Sequence, residues 1–203
     1  MTYRDRTLTE FADAIAAGDP TPGGGSAAAV VGATGAALVE MVCTLSIGRE
    51  EYADVEDELE EVRASMQETR ESLFELADED SAAFEAVMAA FKTPEDEGRA
   101  EAIQEASKRA TEVPLETAEA CLTVVEHAVP VTQKGNENAV TDGGTGALLA
   151  NAALQAALYN VAINLGTIDD EEFVDETAER ADEIEERAAE ALDTVTETVD
   201  GKV

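Results

Sequence analysis

Asp80 lies on a seam where an apolar residue is expected. Val55, Leu59, Val62, Met66, Thr69, Leu73, Leu76, Asp80, Ala83 and Val87 recur at alternating steps of four and three, the spacing of a helix packed along a neighbour. A carboxyl group there is costly to bury unless partnered. Burial would raise its pKa toward the range of a general acid/base. The plainer alternatives are a rim position or an Asp satisfied by a neighbouring Arg. Asp78 stands two residues before it. The second chemical candidate is the loop Pro20-Thr-Pro-Gly-Gly-Gly-Ser26. Gly23, Gly24 and Gly25 leave backbone N–H groups bare, and Ser26 reads as the N-cap of a helix from Ala27. Such a helix start is a seat for a carboxylate or an anionic intermediate, although a Gly run before a helix is often only a tight loop. Neither a P-loop nor a dinucleotide fingerprint is present.

Other polar candidates are few. Lys108 and Arg109 are scarce cations in an acidic chain, and a solvated helix face is the default reading for both. Lys134, Asn136 and Asp142 belong to a second polar, Gly-rich stretch, Gln133 to Gly144. His127 is the single histidine, read as structural or exposed, and no Cys or carboxylate pair has ligand spacing, so no metal site is expected. Cys43 and Cys121 sit in apolar helical patterns and form no disulfide framework.

Six amphipathic or apolar segments must hold these groups. Thr7-x-x-Glu10 is a capping box opening a short helix that stops at Gly18. The helix from Ala27 to near Gly48 has a flat face of Ala28, Gly32, Gly35, Ala36 and Val39. Its bulkier face is Val31, Thr34, Leu38, Met41 and Leu45, so it reads as a buried central helix. Its length raises the question of a membrane span, but Glu40 interrupts it and no basic flank orients it. The Asp80 helix starts near Asp54 and ends at Phe91-Lys92-Thr93-Pro94, with Thr93, Pro94 and Asp96 capping the next. In that next helix Pro114 should kink or break the chain and free the carbonyl of Ala110, and Pro130 should end it. A second small-residue helix follows from Ala147 to Leu165, with Asn151, Asn160 and Asn164 needing partners if buried. The last runs from Asp169 to about Val199. No strand-like alternation occurs. The expected fold is all-α, an up-and-down-like bundle of five or six helices over residues 1–203 as one domain, two of them small-residue-rich and central.

The charge balance narrows the partners. Thirteen Lys and Arg against 46 Asp and Glu give −33, which argues against nucleic acid. The acids are spread over amphipathic helices and not gathered in one block. That distribution reads as a halophilic surface, tolerable where salt screens self-repulsion. No targeting or lipidation pattern is seen at the start, so a cytoplasmic protein with no membrane partner is expected.

Several motifs occur together. They are Pro20 to Ser26 with its Ala-rich helix, Gly48-Arg49 and Tyr52, Asp78-x-Asp80-x-x-x-Phe84, and Val113-Pro114-Leu115. Gly135-Asn136, Thr141-Asp142 and Tyr159-Asn160-Val161-x-Ile163-Asn164-Leu165 follow. In this order they resemble the formiminotransferase-cyclodeaminase C-terminal domain and its stand-alone relatives, the methenyltetrahydrofolate cyclohydrolases, over nearly the whole chain. The resemblance implies an all-α homodimer or larger assembly acting in folate one-carbon metabolism, with sites near the subunit interface. Asp80 would be the catalytic acid, with Asp78 its neighbour. Gly23 to Ser26 and the Asn136 to Asp142 stretch would line the pocket. Apart from the resemblance, Lys108, Arg109 and Lys134 are among the few cations available to receive the folate glutamate. A tetrahydrofolate derivative would be the substrate, with no permanently bound cofactor. Cyclohydrolase activity is favoured because no formiminotransferase domain accompanies the chain. Cyclodeaminase activity and a non-catalytic helical scaffold stay open as alternatives.

Overall fold

The computed structural model describes residues 2–203. Six α-helices account for most of them: α1 (Leu8–Ala16), α2 (Gly24–Ser46), α3 (Glu56–Ala90), α4 (Arg99–Lys134), α5 (Val140–Leu165) and α6 (Glu171–Asp200). Four short 3₁₀ turns lie at Tyr3–Asp5, Glu50–Val55, Glu95–Glu97 and Glu137–Ala139. Among the described residues there is no strand, and the all-α bundle is as the periodicity predicts.

Helices α2, α3, α4 and α5 run up and down as a four-helix ring, each packed on the next, and α6 packs lengthwise along α4 and also against α5. Leu59, Val62, Met66, Leu73, Leu76 and Ala83 of the α3 seam are buried, as heptad spacing requires. The small-residue faces let α2 and α5 touch through backbone. A Cβ on Gly35 would meet the Gly146 carbonyl oxygen at 2.7 Å, and one on Gly146 would meet that of Gly35 at 2.8 Å. Cys43 and Cys121 are buried and unpaired, and burial pushes both thiols up to about 12. They are inert packing groups at neutral pH.

Four expected boundaries move. Helix α2 begins at Gly24 with Gly23 as N-cap, so Ser26 is inside the first turn and not the cap. Helix α4 begins at Arg99 after a left-handed Gly98, not at Thr93. It also runs unbroken through both Pro114 and Pro130 to Lys134. The Ala110 carbonyl that Pro114 leaves without its usual donor accepts a 2.7 Å hydrogen bond from Asn164 Nδ2 of α5. At the far end, Lys202 Nζ donates to the carbonyls of Thr132 and Gln133 at 2.9 Å each, closing the last turn of α4. The second polar loop shrinks correspondingly, since α5 starts at Val140 and contains Gly143 and Gly144.

The central helices are also less enclosed than expected. In α2, Val31, Met41 and Leu45 are more than a third exposed, and in α5 Leu148, Tyr159 and Ile163 reach 56%, 74% and 73%. Both helices are long and apolar enough to cross a membrane by length and composition. Here each packs one side into the bundle and leaves an apolar stripe open on the other.

Candidate active site

The first turn of α2 and the middle of α3 meet at Asp80. Backbone N–H groups at a helix start lack intrahelical partners. Asp80 of α3 supplies one from across the bundle: its Oδ2 accepts from the Ser26 N–H at 2.8 Å and from Ser26 Oγ at 2.7 Å. The carboxylate thus caps a neighbouring helix at the positive end of its dipole. Gly25 makes the approach possible, because a Cβ there would sit 2.0 Å from Asp80 Oδ1. The seam reading of Asp80 is corrected in one respect. The residue is half-buried, at the edge of the core, and its partner is a helix terminus and not an Arg.

With two donors on Oδ2, that oxygen has no room for a proton. Oδ1 has no hydrogen bond among the described residues, and it is the oxygen able to take or give one. Asp80 forms one wall of a cavity of about 310 Å³ with Gly23, Gly24, Gly25, Phe84, Phe91 and Asn160. Asn164, Ala110 and Thr167 complete its far side. The cavity has an acid/base group, bare amides at Gly24 and Gly25, apolar rings for stacking and two side-chain amides. That composition suits a flat, polar heterocycle. Among the described residues no cluster of His, Cys, Asp and Glu could hold a metal ion.

The other candidates are distributed differently. Asp78 does not line the cavity; its Oδ1 accepts from the Tyr3 N–H at 2.9 Å. Lys108 pairs with Asp170 at 2.7 Å and lies 5.5 Å over the Phe173 ring. That hydrogen bond raises the Lys108 pKa and lowers that of Asp170. Arg109 is engaged by Glu116 and Glu79, with Glu112 at 3.6 Å, and the Glu116 contact is the main reason its pKa rises. Lys134 pairs with Glu58 at 2.7 Å. Asn136 is buried where the far end of α2 closes: its N–H donates to Ser46 Oγ at 2.8 Å and its Nδ2 to the Leu45 carbonyl at 3.2 Å. Ser26 and Ser46 are twenty residues apart on one helix, about 30 Å at the α-helical rise. Lys134, Asn136 and Asp142 therefore do not join Asp80 within one chain.

Several wall residues were not legible as a site. Asn160 and Asn164 stand out in the sequence as polar interruptions of an apolar helix and as part of the motif Tyr159 to Leu165, with no role assigned to either. Phe84 closes the motif that starts at Asp78, while Val87 and Phe91 look like ordinary helix apolars. Their signal is positional: all sit one to three turns from Asp80 or at the end of α5, which only the bundle brings together.

The family model for Formiminotransferase-cyclodeaminase matches residues 7–183. The chain is 40% identical, over 98% of both chains, to a methenyltetrahydrofolate cyclohydrolase from Methylorubrum extorquens. It is 33% identical over 86% of its length to the formimidoyltransferase-cyclodeaminase of Gallus gallus, of which it spans 33%. The crystal structure of formiminotetrahydrofolate cyclodeaminase from Thermotoga maritima superposes with a TM-score of 0.92 at 35% identity, covering 98% of each chain. A matching model over most of the chain and a relative aligned end to end decide its membership: the chain belongs to the formiminotransferase-cyclodeaminase family.

Proposed function

We propose that this chain is a methenyltetrahydrofolate cyclohydrolase, a single domain over residues 1–203 that converts 5,10-methenyltetrahydrofolate and water to 10-formyltetrahydrofolate and a proton. The observation that carries the reading is Asp80, fixed on the first turn of α2 with Oδ1 free beside a cavity of heterocycle size. Asp80 Oδ1 takes a proton from water as the water oxygen bonds to the cationic amidine carbon. The C–N5 bond of the adduct then breaks, N5 takes the proton from Asp80, and the adduct's hydroxyl releases its own to become the formyl oxygen. Ser26 N–H is already spent on Asp80, so the amides able to face the adduct oxygen are those of Gly24 and Gly25. Asn160 and Asn164 are placed to orient the ring.

A homodimer belongs to the same reading. The open stripes of α2 and α5 contain only Glu40 and Asp142 as charges in a chain of −33, and Glu40 is neutralised by Arg70 at 3.1 Å. Any other face would set acid against acid, so a second copy of this chain is the partner this one fits. If two α2 helices pair antiparallel, the Ser46 end of one stands beside the Ser26 end of the other. Lys134 and Asp142 of the partner subunit would then reach the Asp80 cavity, while Asn136, itself buried, holds the loop that presents them. The dense acidic surface suits concentrated salt and a cytoplasmic setting.

Cyclodeamination of formiminotetrahydrofolate is the second reading, favoured by the end-to-end likeness to the Thermotoga maritima enzyme of that name. Incubation in high salt with each substrate, following the methenyl chromophore and released ammonia, separates the two. The cyclohydrolase reading expects methenyl loss without ammonia, and Asp80→Asn lowering kcat by about 100-fold or more with helicity intact. Unchanged turnover in that variant would remove Asp80 from the chemistry.

A further inference from the structure

Behind Asp80, away from the cavity, lies a chain of hydroxyl groups that the chemistry above does not use. Tyr3 Oη is 2.7 Å from Ser81 Oγ, Ser81 Oγ is 3.1 Å from Ser26 Oγ, and Ser26 Oγ donates to Asp80 Oδ2 at 2.7 Å. Each hydroxyl has one proton, so the direction of the chain is determined. Ser26 spends its proton on Asp80 and must accept from Ser81; Ser81 must then accept from Tyr3. The donors all point toward the carboxylate. Ser26 is fully buried and Ser81 nearly so.

Tyr3 reaches this position by specific means. Its N–H donates to Asp78 Oδ1 at 2.9 Å. Its ring meets Phe11 edge to face at 5.4 Å and lies under the Arg6 guanidinium at 4.9 Å. The 3₁₀ turn at Tyr3–Asp5 is thus tied to α3 on both sides of Asp80, through Asp78 and through Ser81. This gives Asp78 a purpose its absence from the cavity wall leaves unexplained.

We propose that Tyr3 and Ser81 are positioning residues. Through Ser26 they hold Oδ2 of Asp80 as a fixed acceptor, so that Oδ1 alone exchanges protons with the substrate. The role in turnover rests on the cyclohydrolase reading; the hydrogen-bond coupling does not. Series connection has a distinctive consequence, because cutting the chain at Ser81 also disconnects Tyr3.

The test uses full-length Ser81→Ala, Tyr3→Phe and the double variant in high salt. Removing a hydroxyl that supports a charged acceptor should lower kcat about 10-fold in Ser81→Ala and about threefold in Tyr3→Phe. KM should stay within about twofold, and the double variant should match Ser81→Ala alone. Wild-type kcat in both single variants, multiplied losses in the double, or a change confined to KM would overturn the proposal. Independently of turnover, the backbone amide NMR resonance of Ser26 should shift in Tyr3→Phe, whose lost hydroxyl is two hydrogen bonds from the Ser26 side chain. A Ser26 amide unmoved by Tyr3→Phe in a folded protein would overturn the coupling. A wild type inactive on the methenyl substrate would instead sink the functional reading and leave the amide shift to decide the relay.

Discussion

At the residue scale, the site depends on one missing side chain. Asp80 can cap α2 only because position 25 has no Cβ; one built there would lie 2.0 Å from Oδ1 and 2.6 Å from Cγ. A Cβ at the adjacent Gly24 would meet only Asn160 Nδ2, at 4.0 Å. Gly25→Ala should therefore displace the carboxylate and lower kcat by about 100-fold, the scale expected for a misplaced reacting group. Alanine favours a helix over glycine by about 1 kcal/mol, so the thermal midpoint should change little while activity collapses. Steady-state kinetics with circular-dichroism melts reads both activity and midpoint. A Gly25→Ala variant with wild-type kcat would show that the Asp80–Ser26 contact is dispensable. Asp80 itself was legible because it violates a seam, and violations of a strict pattern are informative. The role of Ser26 was misread. A Gly-Gly-Gly-Ser sequence suggests a Ser cap, whereas the actual cap comes from a residue 54 positions away, which no local pattern encodes.

At the element scale, the helices were readable from apolar period and their ends were not. Each misplaced end has a tertiary cause. Pro114 removes a donor, yet α4 continues because Asn164, on another helix, bonds the Ala110 carbonyl at 2.7 Å. The same Asn borders the cavity, so one side chain both repairs α4 and shapes the site. Replacing it with Leu should strand that carbonyl and cost about 1–3 kcal/mol. The cost should shrink in a Pro114→Ala background, where the residue 114 N–H again reaches Ala110. Denaturant melts of the four proteins give the coupling directly. Equal costs in both backgrounds would show that Asn164 acts elsewhere. The α2–α5 crossing makes a second demand of this kind. Gly35 and Gly146 face each other's carbonyl oxygens, and Gly35→Val should destabilise by about 1–3 kcal/mol by forcing the helices apart. The flat face of α2 was visible in its composition, whereas its partner face on α5 could not be chosen from sequence.

At the scale of the whole molecule, charge and exposed apolar surface make opposing demands that salt concentration balances. A net charge of −33 repels both within one copy and between copies. The Debye length is about 10 Å at 0.1 M salt and about 3 Å at 1 M, so the repulsion between two approaching copies is nearly erased only in concentrated salt. Association pushes like charges of two copies together, while folding of one copy retains its Arg and Lys pairings. Dilution should therefore dissociate the proposed dimer before it unfolds the subunit. Sedimentation and far-ultraviolet circular dichroism along a salt series should show mass halving at a higher salt concentration than the loss of helicity. Met41→Glu, placed on the open stripe of α2, should produce a monomer even in 3 M salt. If partner residues complete the cavity, that monomer should also lose turnover while keeping its helices, though Met41 and Asp80 lie on different parts of the subunit. A monomeric Met41→Glu with full kcat would confine the active site to one chain, and Lys134, Asn136 and Asp142 would then have no part in it.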